Sequence, residues 1–322
     1  MTDIRNWQPG DLPALAEIRL AAHPFDLDNL LALTPDAIRH EIERPGLDPA
    51  RDVFVAGSGD GRVVGFVHVQ MEHGKNDILG FCLTVHPDAR SGDAGPRLLR
   101  AAWERALARR VECNTPGAWF QTQVNAAATW MNALLDQGGL CIARYELRMR
   151  CALSEIDLPP LAAPDGITLR TYRHPQDDAA VNAALNEAFG DSWSGIELAA
   201  DEFAHFFDSG QVQPEVSVVA WAGDEVAGAC LNDFSPACLE RAGLREGWVS
   251  SLGVRRARRK RGLAAAILTW SLHQALARRL KAVALDVDAE NPTGAKRLYE
   301  RVGFREVERF HVYRKPIPVL TQ

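Results

Sequence analysis

The chain has 322 residues, of which 47% are hydrophobic and 24% charged, with a net charge of −6 and six cysteines. That length suits two domains of about 150 residues, each able to bury a core of its own. The acidic balance argues against a general nucleic-acid binder, and no apolar run of about 18 residues is present to span a membrane.

The N-terminus, MTDIRNWQPGDL, is polar and carries no apolar leader, so a cytoplasmic protein is expected. Thr2-Asp3-Ile4-Arg5 starts the first half and leads through Pro-Gly-Asp into a helical pattern. An apolar strand-like run from Ile78 to Val85 precedes a helix-period pattern from Leu98 to Arg109, and a strand from Ala118 to Val124 follows. Residues 154–166, SEIDLPPLAAPDG, hold three prolines and few large apolar side chains, which predicts an extended connection. A second start, Ile167-Thr168-Leu169-Arg170, comes straight after it. The second half then repeats the order: strand Trp248 to Val254, helix Ala264 to Arg279, strand Ala282 to Val287. The repeat is in register. Val85, Arg90 and Leu98-Leu99 match Val254, Arg259 and Ile267-Leu268 at a constant offset of 169. Strands alternating with helices predict α/β domains with a mixed sheet at the centre. The expected organisation is residues 1–153, a connection at 154–166, and a second copy at 167–318. Cys82, Cys113, Cys141, Cys151, Cys230 and Cys238 form no C-x-x-C pair, so reduced thiols are expected, with no metal site and no disulfide framework.

Between strand and helix in the second half stands Arg259-Lys260-Arg261-Gly262-Leu263-Ala264. A helix start has unsatisfied N–H groups and a partial positive charge, and phosphate binds there. Gly262 allows close backbone approach. Arg255, Arg256 and Arg258 add to the attraction for a polyanion. Taken alone, the same cluster also reads as a solvated basic loop. Further on, Asp288 to Phe304 carries Asn291, Ala295, Tyr299, Gly303 and Phe304. Arg259, Gly262 and Ala264 followed by that second set resemble the GNAT N-acetyltransferases, over about residues 165–318.

The resemblance implies acetyl-CoA as cosubstrate and a primary amine, of a small molecule, as acceptor. It implies that Arg259, Lys260, Arg261, Gly262, Leu263 and Ala264 hold the CoA pyrophosphate. Asn291 and Ala295 would then sit near the pantetheine arm. The backbone of Leu252, Gly253 and Val254 would receive the thioester carbonyl and pantetheine amides, with Gly253 suited to a bulge. Tyr299 would donate a proton to the thiolate, or else be a core aromatic. Asn291 and Tyr299, eight residues apart, are expected on one helix with similar facing. Family members often carry a glutamate base at the position that Trp248 holds here. Glu246, two residues earlier and on the same strand face, could act through a water, or be a solvated residue beside an Arg245-Glu246-Gly247 turn. Asp286 and Asp288 are the other carboxylates near it. The acceptor pocket is expected in 190–212, where Gly190-Asp191-Ser192-Trp193-Ser194 carries an aromatic and a carboxylate.

The first half reads as a worn copy. Asp93 stands at the Gly262 position and Gly95 at that of Ala264, while Leu135 stands at the Tyr299 position and Ala127 at that of Asn291, with Asn125 two residues off. Two such domains in one chain resemble the tandem, mycothiol synthase-like members of the family, in which the C-terminal domain carries the chemistry. The acidic balance, the cations of 255–261 without interleaved aromatics and the lack of a long apolar run predict no nucleic-acid or membrane partner, and a monomer or homodimer is expected. A non-catalytic acyl-CoA-binding regulator is the alternative that Trp248 leaves open.

Overall fold

The computed structural model describes residues 2–26, 34–74, 76–193, 195, 197–208, 210, 212–234 and 245–319. Up to residue 152 the elements are β1 (Asp3–Asn6), α1 (Leu12–Asp26), α2 (Pro35–Ile42), α3 (Pro49–Asp52), β2 (Val53–Gly57), β3 (Val63–Glu72), β4 (Asp77–Val85), α4 (Ala94–Ala108), β5 (Ala118–Asn125), α5 (Thr129–Gln137) and β6 (Cys141–Ala152). After the connection come β7 (Thr168–Thr171), α6 (Asp178–Phe189), α7 (Ala200–Asp208), β8 (Val218–Ala222), β9 (Glu225–Asp233), β10 (Glu246–Val254), α8 (Leu263–Ala277), β11 (Ala282–Asp288), α9 (Ala295–Val302) and β12 (Arg305–Pro316).

The chain forms two compact units, and neither is one continuous stretch. Unit 1 takes residues 1–145 and 309–322, and unit 2 takes residues 146–308. In unit 1, β1 to β5 form a sheet in chain order, with β4 and β5 parallel. The end of β12 closes it, antiparallel to β5, with Phe310 opposite Asn125 and Pro316 opposite Trp119. In unit 2, β7 to β11 form the equivalent sheet, with β10 and β11 parallel. There β6 closes it, with Ala152 opposite Ala282 and Glu146 opposite Asp288. Each half's closing strand therefore belongs to the other unit, and the division differs from one at residues 154–166. The reason lies in side-chain alternation. Leu147, Met149 and Cys151 point every second residue into the core of unit 2, and Ile156 and Leu158 of the connection pack on that same core. Such alternation fixes which face of a strand is buried, but not its partner.

Each sheet is covered on both faces. In unit 1, α1 and α2 bury Leu15, Ile18, Ile38 and Ile42 against Val55 and Phe66. On the other face α4 and α5 bury Leu98, Ala102, Met131 and Leu135 against Val67, Leu79 and Phe120. Unit 2 repeats this with α6 and α7 over Val219, Ala229 and Leu231. Its second face carries α8 and α9 over Val283, Leu285 and Cys230. The described cysteines are free thiols: Cys151 and Cys230 are buried, Cys141 is exposed, and Cys238 lies outside the described residues. Among the described residues no helix is long and apolar enough to cross a membrane.

Candidate active site

The site is built where two parallel strands part. β10 pairs with β11 only from Glu246 to Trp248, opposite Ala282 to Ala284. Beyond Trp248, β10 stays with β9 as far as Val254, while β11 stays with β6 as far as Asp288. A wedge therefore opens beside Val249–Val254, and the ladder groups of that edge have no strand partner among the described residues. A register shift between Val249 and Ser251 marks where β10 bends. The bulge is thus at Ser250, not at Gly253 as the sequence suggested. Gly253 keeps regular pairing with Ala229. Its missing side chain serves packing instead, because a Cβ there would lie 2.6 Å from Leu185 Cδ2 and 3.0 Å from Ala188 Cβ of α6.

β10 runs into the basic loop and then into α8. Gly262 precedes the helix in the left-handed region at φ 78°, and Lys260 adopts φ 61°. The first intrahelical bond goes from Ala266 N–H to the Gly262 carbonyl at 3.1 Å. The N–H groups of Leu263, Ala264 and Ala265 come before it and have no hydrogen-bond partner among the described residues. Most of the loop's cations are already engaged. Arg255 pairs with Glu187 at 2.5 Å and Arg258 with Glu225 at 3.4 Å. Arg256 and Arg259 share Asp191 at 2.8 and 2.7 Å. Arg259 also donates to the Val254 carbonyl at 3.0 Å and the Ala188 carbonyl at 3.1 Å. Arg259 therefore braces the loop, where the sequence had it gripping phosphate. These bonds also hold the Asp191 carboxyl well below the usual carboxylate range, Arg256 contributing most. Asp191 is thereby engaged within the fold and is not a free acceptor-binding carboxylate; Ser194 lies outside the described residues. Lys260 and Arg261 are exposed and have no ion pair among the described residues.

α9 brings in the second set. Tyr299 is buried at 8% exposure in the core it shares with Cys230, and Ala264 and Ala295 pack against that core. Its hydroxyl has no hydrogen-bond partner among the described residues. Burial, reinforced by Cys230, raises its pKa well above that of an ordinary phenol. Cys230, opposite Leu252 across the strand pair, is itself pushed up to about 12 by burial. Asn291 is not on the helix with Tyr299. α9 starts at Ala295 after Gly294, which is left-handed at φ 77°. Asn291 instead closes a turn, accepting from the Thr293 N–H at 2.9 Å and its hydroxyl at 2.5 Å. Pro292 follows it and disfavours helical backbone at Asn291.

The face of the sheet under α6 is polar near the wedge. Trp248 is half-buried, with the Arg148 guanidinium 4.7 Å above its ring. Arg148 also binds Asp286 at 3.1 Å and Glu308 at 3.2 Å. Burial nevertheless raises the pKa of Asp286. Glu246 is buried inside β10, not solvated beside a turn, and forms an ion pair with Arg150. Arg148 and Arg150 escaped the sequence reading because β6 was assigned to the first half. Their alternation was visible, but their destination was not.

Unit 1 keeps the same frame without the same site. Arg90 donates to the Val85 carbonyl at 3.2 Å and pairs with Asp26 at 2.6 Å, matching Arg259 in unit 2. The Leu140 N–H reaches the Leu135 carbonyl at 3.1 Å, as Phe304 N–H reaches Tyr299 at 3.0 Å. That places a hydroxyl-free leucine where unit 2 has its phenol. Asn125 accepts from Ala127 N–H at 2.9 Å, as Asp288 accepts from Glu290 N–H at 2.9 Å. Asp93 precedes α4 with φ −94° and accepts from the Thr2 hydroxyl. Trp130 packs on Gly95 and donates to the Arg90 carbonyl at 3.0 Å. The start of α4 is covered by an indole and faced by a carboxylate. Glu41, His68 and Cys82 also cluster within 4.8 Å, but Arg19 already supplies a cation there by pairing with Glu41 and reaching Cys82 at 3.6 Å.

A family model described as Acetyltransferase (GNAT) family matches residues 180–304. The mycothiol acetyltransferase of Rhodococcus opacus (strain B4) is 30% identical over 280 residues, covering 84% of this chain and 84% of that protein. That of Mycolicibacterium gilvum (strain PYR-GCK) is 30% identical over 315 residues, covering 94% and 92%. Among solved structures, a GCN5-related N-acetyltransferase from Sphaerobacter thermophilus aligns with a TM-score of 0.73 at 28% identity, over 99% of this chain and 96% of that one. A tandem GNAT protein from the clavulanic acid biosynthesis pathway aligns with a TM-score of 0.74 at 17% identity, over 100% of both chains.

Proposed function

Because the chain belongs to the GNAT family of acetyltransferases, we propose that unit 2 carries the acetyl transfer, to a primary amine of a small molecule. The observation that carries this reading is one arrangement: a wedge between β10 and β11, ending on the left-handed Gly262 and the open start of α8, with Tyr299 in the core it shares with Cys230, the residue opposite Leu252. The donors suit CoA. Free N–H groups at Leu263 to Ala265, with Lys260 and Arg261, suit a pyrophosphate. The unpaired edge at Leu252, Gly253 and Val254 offers backbone groups to the pantetheine amides and thioester carbonyl. Arg259 acts one step back, by holding the loop's shape, and Asn291 by shaping the turn into α9.

Acetyl-CoA, when bound, supplies an activated acyl carbon on a thioester. The residues of the chain do the rest. N–H groups of the wedge polarise the carbonyl. Tyr299 offers its hydrogen to the departing sulfur. Its raised pKa exceeds the ordinary thiol value of about 8.5, so it stabilises sulfur by a hydrogen bond and keeps its own proton at equilibrium. Trp248 cannot take a proton, and Glu246 and Asp286 are held by Arg150 and Arg148. The amine therefore loses its proton to solvent, and only its neutral form attacks. Several relatives are named mycothiol acetyltransferase, which makes mycothiol chemistry the first acceptor to test.

The test is thiol release from acetyl-CoA against a panel of amines, with Tyr299→Phe as the control. Acetylated amine that is lost in the variant supports the reading. Tight CoA binding with no release for any amine would make the chain a regulator.

A further inference from the structure

Resting on the cofactor reading above, we propose that Arg301 and Arg305 recognise the 3′-phosphate at the adenosine end of CoA, with Lys260 on the loop side of the same groove, so that the protein distinguishes CoA from dephospho-CoA. A groove of about 840 Å³ runs between α8 and α9. Lys260 and Gly262 line the end shared with the phosphate loop, Arg301 and Arg305 line the α9 side, and Ile156 and Pro159 of the connection form a wall. A second depression of about 700 Å³ shares Arg301 and Arg305 and adds Arg297 and Thr293.

The charges in this region are sorted. Arg255, Arg256, Arg258 and Arg259 are spent on carboxylates within the fold. Lys260, Arg297 and Arg301 have no ion pair among the described residues. Arg305 uses only Nη1, on the carbonyls of Glu300 and Phe304 at 3.0 and 2.9 Å, which leaves its other nitrogens available. Asp157 and Glu300 also line the groove, so the cations exceed the carboxylates by one: Lys260, Arg301 and Arg305 against two. The free cations therefore sit at two points of the groove, its loop end and its α9 side. CoA carries two anionic points, the pyrophosphate and a 3′-phosphate that is close to dianionic at neutral pH. An acidic peptide would also be drawn to arginines, but the continuity of the groove with Lys260 and Gly262 favours the nucleotide end. Arginine suits the phosphate because its planar fork can make two hydrogen bonds to it.

The test is calorimetric titration of the full chain with CoA and with dephospho-CoA at one fixed salt concentration. CoA should bind about tenfold tighter or more, the worth of a hydrogen bond between charged groups. Arg301→Ala should bring CoA down to the affinity of dephospho-CoA and leave dephospho-CoA unchanged. Arg305→Gln should act in the same direction with the helix end kept. Equal binding of the two ligands by the unaltered chain, or equal weakening of both by Arg301→Ala, overturns the 3′-phosphate assignment and leaves the cofactor reading intact. Binding of neither ligand overturns both.

Discussion

Arg259 reaches Asp191 at 2.7 Å across the gap between the basic loop before α8 and the end of α6, and Arg90 makes the matching reach to Asp26 at 2.6 Å in unit 1. Unit 1 has kept this brace although its helix start is covered. The pair is thus a device of the fold, and its bearing on cofactor is indirect. Asp191→Asn should weaken CoA binding by roughly two- to fivefold, the range of an exposed ion pair, with circular dichroism unchanged. Loss of all binding would place Asp191 against the ligand itself.

Tyr299→Phe keeps the ring and its packing but removes the hydroxyl. CoA affinity and melting temperature should hold, while kcat falls roughly a hundredfold. The raised pKa sets a further expectation: the phenol stays protonated through the ordinary tyrosine value of about 10, so its ionisation adds no alkaline fall in rate up to that point. Unfolding of the variant, or loss of CoA with kcat intact, would make Tyr299 a packing residue.

Unit 1 should contribute no second CoA site. Calorimetry should give a single site per chain, and Gly262→Asp should abolish it by straining a left-handed position and adding a repelling charge. The thermal stabilisation that CoA confers should vanish in the same variant, since only native-state binding raises stability. Asp93→Gly alone should not create a site, because Trp130 still covers Gly95. Two equal sites in the unaltered chain would refute this.

Glu246→Gln should act on stability more than on turnover. The substitution leaves Arg150 with a neutral partner at a buried position and should cost about 1–2 kcal/mol. The rate should change less than about tenfold, and it should still rise with pH toward the acceptor amine's own pKa. A loss beyond a hundredfold with the melting temperature unchanged would make Glu246 the base.

The repeat, the order of strands and helices, and the loop before α8 were all legible in the sequence, because each depends on local pattern. Gly262 stands where that loop turns into α8 with a left-handed φ, a backbone that the glycine in the sequence makes easy. Gly253 was misread, since a missing side chain can serve a bulge or the approach of a helix, and only the packing of Leu185 decides between them. Asn291 was misread because its eight-residue spacing from Tyr299 fits a helix, while Pro292 and Gly294 delay the helix start. The burial of Glu246 was not legible, and its solvated alternative fails, because its partner, Arg150, lies 96 residues away in sequence and on a strand assigned to the other half. The exchange of closing strands was beyond reach for the same reason, since alternation names a buried face and not a neighbour.

That exchange imposes a schedule on the nascent chain. β5 emerges early, yet its closing partner begins at Phe310, about 185 residues after Asn125. At usual rates of synthesis this is a delay of roughly ten to forty seconds, during which the β5 edge stays open. Unit 2, by contrast, holds all of its strands within residues 146–308 and can be completed first. The half made first is thus finished last, and its open edge is a place where a wrong strand can pair before the right one arrives.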